Sequence, residues 1–186
     1  MLLLFLGCAN YGRLESIDDG RSYVKLEEKI SCRGKGYVLI KNYPQSRLNF
    51  NFNSTKEELF MLFKDIFGRK QFQLSIIKNS IEVFSLRKKE IIPLESFSSI
   101  SSLFENIEPK DLIDLAWGVI PESFISKSGE KKADEKLILF NTYETSLGYL
   151  INKISFHSVD DISEINLFFL KREFDTIYPH LINEKI

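Results

Sequence analysis

Cysteine, histidine, methionine and tryptophan are nearly missing from these 186 residues, with two, two, two and one copies. Alanine occurs three times. So few cysteines exclude a disulfide-dense scaffold. The two histidines, His157 and His180, are not in an H-x-x-x-H arrangement and have no cysteine cluster, so no zinc site is expected. Neither sign of charge dominates, with 25 Lys+Arg against 26 Asp+Glu. That balance argues against a general nucleic-acid binder, which carries a basic excess. No apolar run approaches the ~20 residues that span a bilayer, so no transmembrane helix is expected. Alanine scarcity argues against an all-helical chain, because alanine is the strongest helix former.

What is present fits a folded domain. Hydrophobic residues make up 44% of the chain, far from the composition of disorder. A chain of this size buries roughly two-thirds of its unfolded surface and folds without disulfide or metal. Isoleucine (22 copies) and phenylalanine (16) are abundant, and lysine outnumbers arginine 18 to 7. Ile and Phe favour strands. An AT-rich genome enriches the same residues, so the strand reading must rest on pattern.

Alternation of apolar and polar residues predicts strands at 23–31, 37–43 and 48–52. Arg33-Gly34-Lys35-Gly36 reads as the hairpin turn between the first two. Ser54-Thr55-Lys56-Glu57 is a capping-box sequence. Leu59, Leu62, Phe63, Ile66 and Phe67 then follow helical spacing up to Gly68, which predicts a helix over 55–67. A second hairpin is expected at 71–77 and 81–86, around Lys78-Asn79-Ser80. Two short helices are expected at 94–104 and 110–117, the second started by Pro109 and closed by Gly118. Residues 126–136 lack large apolar side chains and read as an exposed loop. Strands are expected at 137–142 and 147–156, the latter also compatible with a helix. A last helix is expected over 160–178, with 167–170 (LFFL) apolar around its whole circumference and nominated as a partner surface. Strands and helices occur in groups, which predicts an α+β fold: an antiparallel meander or hairpin sheet packed on one face by several helices.

Motifs that carry chemistry are scarce. There is no G-x-S-x-G elbow and no phosphate-cradling loop. The G-x-G at Gly34–Gly36 reads as a turn. Asp160, Asp161 and Glu164 read as complements to a helix dipole. Glu28 sits on the apolar side of its expected strand. Trp117 reads as a core anchor, and the many phenylalanines match core spacing better than a nucleic-acid platform. No catalytic, cofactor-binding or metal-binding residue is assigned, and the expectation is a non-enzyme without cofactor.

The N-terminus carries the one sharper signal. Residues 1–6 (MLLLFL) are apolar and are followed by Gly7, Cys8 and a polar stretch. The run Leu6-Gly7-Cys8 resembles the lipobox that ends a bacterial lipoprotein signal peptide. Phe5 stands where that family usually has Leu, and no basic region precedes the run. The resemblance implies cleavage before Cys8, acylation of its thiol, and a membrane anchor. It divides the chain into a signal remnant and tether (1–21) and one domain (22–183). The competing reading of the same residues is a buried N-terminal strand of a cytosolic protein. Cys32 reads as a buried thiol without catalytic role.

The expected function is therefore a non-catalytic, lipid-anchored domain of the bacterial cell envelope. It would face the periplasm and bind another protein but not nucleic acid. The alternatives are an immunity-type inhibitor of a bacterial toxin, periplasmic or cytosolic, and an enzyme with a site that no motif reveals.

Overall fold

The computed structural model describes residues 26–41, 46–93, 107–126, 137–157 and 164–175. Its strands are β1 (Ser31–Ile40), β2 (Ser46–Thr55), β3 (Leu59–Lys64), β4 (Lys70–Ile77), β5 (Ser80–Ser85), β6 (Glu90–Ile91), β7 (Leu137–Thr145), β8 (Gly148–His157) and β9 (Glu164–Asp175). Two short helices, α1 (Pro109–Trp117) and α2 (Glu122–Ser126), stand between β6 and β7. All nine strands join one sheet in the order β6-β5-β4-β3-β2-β1-β9-β8-β7. Every pairing is antiparallel. The α+β expectation is thus corrected: the described chain is nearly all-β, and two helices replace the several expected.

Two expected helices are strands. Residues 59–64 form β3, where Leu59, Met61 and Phe63 are buried and alternate with half-buried Phe60, Leu62 and Lys64. The run LFMLFK satisfies period two as well as helical spacing. Pairing with β2 and β4 decides between them. The capping-box residues do cap, but they cap a turn. Thr55 Oγ1 accepts from the N–H groups of Glu57 (3.3 Å) and Glu58 (3.1 Å), which reverses the chain from β2 into β3. The expected 160–178 helix is β9 over Glu164–Asp175. In its LFFL run, Leu167, Phe168 and Phe169 are apolar because both sheet faces are occupied there, while Leu170 is exposed. Phe169 packs edge-on against Phe50 and Phe52 on one face, and Phe168 stacks on Tyr37 on the other.

The first hairpin also differs. Residues 26–30 make a turn rather than a strand, with the Lys29 N–H donating to the Leu26 carbonyl (3.1 Å). Glu28 is therefore exposed and faces no apolar layer. Gly34 and Gly36 lie inside β1, opposite Phe52 and Phe50 of β2. A Cβ on Gly34 would come within 2.6 Å of the Phe52 ring and collide with the Lys171 carbonyl. One on Gly36 would collide with the Phe168 carbonyl and the Phe50 ring. Glycine at these positions lets rings from β2 lie across the backbone of β1.

Other expectations hold. The β4–β5 hairpin turns at Lys78 and Asn79, both at positive φ (50° and 63°), as a two-residue hairpin turn requires. Pro109 opens α1, and Gly118 closes it at φ 84°. β7 and β8 form where strands were expected. The expected helix at 94–104 lies outside the described residues. So do residues 127–136 of the expected loop and the 1–21 segment.

The core lies on one face of the sheet. Phe50, Phe52, Met61, Phe63, Phe72, Leu74, Ile76, Val38, Leu167 and Ile154 share it, and Leu112, Leu115, Ala116 and Trp117 of α1 join the same cluster. Burying a side chain of this size stabilises the fold by about 1.5–3 kcal/mol. Three bulges tune the sheet. Leu170 in β9, Gln71 in β4 and Asn152 in β8 are the extra residues where register shifts.

Candidate functional site

Two places concentrate unusual residues. The first is enclosed, where α1 ends against β1, β2, β8 and β9. The Trp117 indole N–H is shared between Ser54 Oγ and the Thr55 carbonyl, both at 3.1 Å. Arg172 projects from β9 beneath the end of α1. Its Nε donates to the Ala116 carbonyl (2.7 Å) and its Nη2 to the Leu115 carbonyl (2.9 Å). Its guanidinium also lies over the Phe169 ring at 4.2 Å. A cation here satisfies carbonyls that a helix terminus leaves free and complements the helix dipole. Burial lowers its pKa to about 10, opposed by nearby Cys32 and Tyr143. The group stays charged at neutral pH.

Cys32 adjoins this centre. It is 1% exposed, and its thiol donates to the Ala116 carbonyl at 3.8 Å. Burial pushes its pKa up to about 12, with the Arg172 charge acting the other way. The thiolate is the reactive form, so this sulfur is inert at neutral pH. The centre is thus a structural joint that seats α1 on the sheet, and Trp117 is the anchor its sequence context suggested.

The second place is the exposed β3–β4 turn. Asp65 builds it. Asp65 Oδ1 accepts from the Phe67 and Arg69 N–H groups (both 2.9 Å), and Oδ2 accepts from Arg69 Nε (2.6 Å) and Gln71 Nε2 (2.9 Å). Desolvation pushes its carboxyl up, but the bonds from Arg69 and Phe67 outweigh that and hold it below its ordinary value. Gly68 takes φ 79° to complete the turn. The two residues carried on this frame are Ile66 and Phe67, 65% and 76% exposed. They are the most exposed large hydrophobic residues among those described. An open groove of about 540 Å³ lies beside Ile66, lined also by Leu39, Ser46, Arg47 and Asp65.

Few of the residues singled out in the sequence come together. Cys8, Asp160, Asp161 and His180 lie outside the described residues. His157 ends β8 opposite Glu164 of β9. Glu164 is on a strand and not in a helix turn, so the dipole reading is corrected. It pairs with Lys41 (2.8 Å) and accepts from Asn166 Nδ2 (2.8 Å). The LFFL run is sheet interior except for Leu170, so it forms no helical partner surface. Sequence reasoning missed Ile66 and Phe67 as surface residues, because helical spacing assigned both to a core face. The available signal was Asp65 three places before Gly68, a turn composition. Arg172 carried no signal, because its role depends on a helix more than fifty residues away.

Among the described residues, no group of three or more His, Cys, Asp or Glu side chains could hold a metal ion. No described helix is long and apolar enough to cross a membrane. No protein-family model matches the chain, and no curated protein matches its sequence.

Proposed function

We propose that the protein is a non-catalytic domain of a bacterial envelope lipoprotein, held by lipid on Cys8 and facing the periplasm, and that it acts by binding another protein. The apolar run ending in Leu6-Gly7-Cys8, followed by a polar stretch, carries the address. Seventeen residues lie between Cys8 and Leu26, where the described chain begins. The β5–β6 edge of the sheet supports the binding role. There Ile91 is 62% exposed and shares an open groove of about 600 Å³ with Ile81, Val83 and Ile92. The groove is lined by Ser80 and Glu82 as well, and such a mixed groove at a sheet edge suits an extended segment of a partner.

Radiolabelled palmitate is expected to enter the full-length protein in a bacterial host and to be lost in Cys8→Ala. Absence of label, with translation starting at Met1, would remove the anchor and leave the cytosolic reading. A photocrosslinking residue at position 91 is expected to trap a discrete protein adduct in the same cells. One placed at Lys29 is expected to trap none. Equal adducts at both positions would remove the groove as the binding surface.

A further inference from the structure

One end of the sheet is set apart by charge. The β3–β4 turn, the β5–β6 turn and the start of β2 lie together there, because Phe63 pairs with Phe72, Phe72 with Ser85, and Asn49 with Lys64. Arg47, Lys64, Arg69, Lys70, Arg87 and Lys89 all belong to this end. Five of these six are exposed, and Lys64 is half-buried. Only Arg69 is in an ion pair among the described residues, with Asp65. Lys41 and Lys88 are there too, already paired with Glu164 and Glu90. Arg47 is held over the Tyr37 ring at 4.0 Å and lines the groove beside Ile66. Among the described residues this end is therefore basic, and Ile66 and Phe67 project from its β3–β4 turn.

We infer that this end docks on an anionic lipid bilayer, with Ile66 and Phe67 entering the interface and the surrounding cations meeting headgroup phosphates. The chemistry of the tip points to lipid rather than to a protein pocket. Apolar side chains at a turn tip, with Arg69 over the Phe67 ring and Arg47 beside Ile66, match the two-layer chemistry of a membrane interface, apolar below and anionic above. The tip is also held in shape by four hydrogen bonds to the Asp65 carboxylate, so little conformational freedom is lost on insertion. The contact does not depend on the lipid at Cys8. It would orient the domain on whichever membrane surface it meets.

The test uses the full chain carrying Cys8→Ala, made without lipid. Its partition is measured on vesicles of phosphatidylcholine alone and on phosphatidylcholine with phosphatidylglycerol in equal parts. Binding is expected only to the anionic vesicles and is expected to weaken as salt is raised. The double change Ile66→Ser, Phe67→Ser is expected to weaken it at least about tenfold. Lys70→Glu with Arg87→Glu is expected to do the same. Unchanged melting temperatures would show that these exposed positions leave the fold intact. In Phe67→Trp, vesicles are expected to shift the new indole's emission to the blue while buried Trp117 stays constant. Equal binding to neutral and anionic vesicles, undiminished binding by the serine variant, or no blue shift would each overturn the inference. Failure of palmitate labelling would leave it standing.

Discussion

Cys32 shows how burial, not residue type, decides chemistry. Its thiol sits under α1 and donates to the Ala116 carbonyl. Iodoacetamide at pH 9, the ordinary pKa of a free cysteine, is expected to leave Cys32 unmodified in the native protein and to alkylate it in denaturant. Peptide mapping reads Cys32 separately from Cys8. Rapid native alkylation would show that α1 opens readily. The raised pKa also fixes a direction for stability. The folded state holds the proton more tightly than the unfolded chain. The contribution is therefore complete below pH 9 and is lost as pH rises towards 12. Arg172 is the opposite case, a charge that burial disfavours and that two helix carbonyls retain.

Among the elements, β1 is the most constrained by its sequence. The two glycines that resembled a turn are the reason β2 and β9 can close on it from either side. Gly36→Ala is expected to destabilise the protein by about 1–3 kcal/mol, because the new methyl meets backbone and ring that cannot both move. Gly68→Ala has open space around it and meets only the cost of positive φ, about 1–2 kcal/mol. Urea unfolding should rank Gly36→Ala as the more damaging. The reverse order would mean that β1 and β9 can separate locally at low cost. β3 and β9 show where element prediction fails. Leu59, Phe63 and Phe67 are spaced for a helix, while Leu59, Met61 and Phe63 are spaced for a strand. Local sequence holds both periods. Phe50 and Phe72, which flank Phe63 from β2 and β4, remove the ambiguity.

At the scale of the whole molecule, the sheet is two meanders joined along one seam. β1 is paired on both sides, and its contact with β9 joins residues 140 positions apart, as in the Arg33–Glu173 bond (2.9 Å). Closing so distant a contact has an entropic cost met late in folding. Amide exchange is expected to be slowest in β1 and fastest in the outermost strands, β6 and β7. Exchange in β1 as fast as in β7 would mean that the two halves open independently. The same topology gathers the turns that carry Ile66, Phe67 and Arg87, which are remote from Arg47 in sequence. The basic end is therefore a property of the assembled sheet.

What the sequence determined alone is local. The 78–80 turn, the start and stop of α1 and the burial of Trp117 each rest on a few adjacent residues. Their physics is local too: turn geometry, a proline at a first helical position, a glycine at a left-handed one. Tertiary structure decided the rest. It made strands of β3 and β9, placed Gly34 and Gly36 beneath two rings, brought Arg172 to the end of α1, and left Ile66 and Phe67 in solvent. In each case the deciding partner lies on another strand or helix, and hydrophobic periodicity does not record which partner that will be.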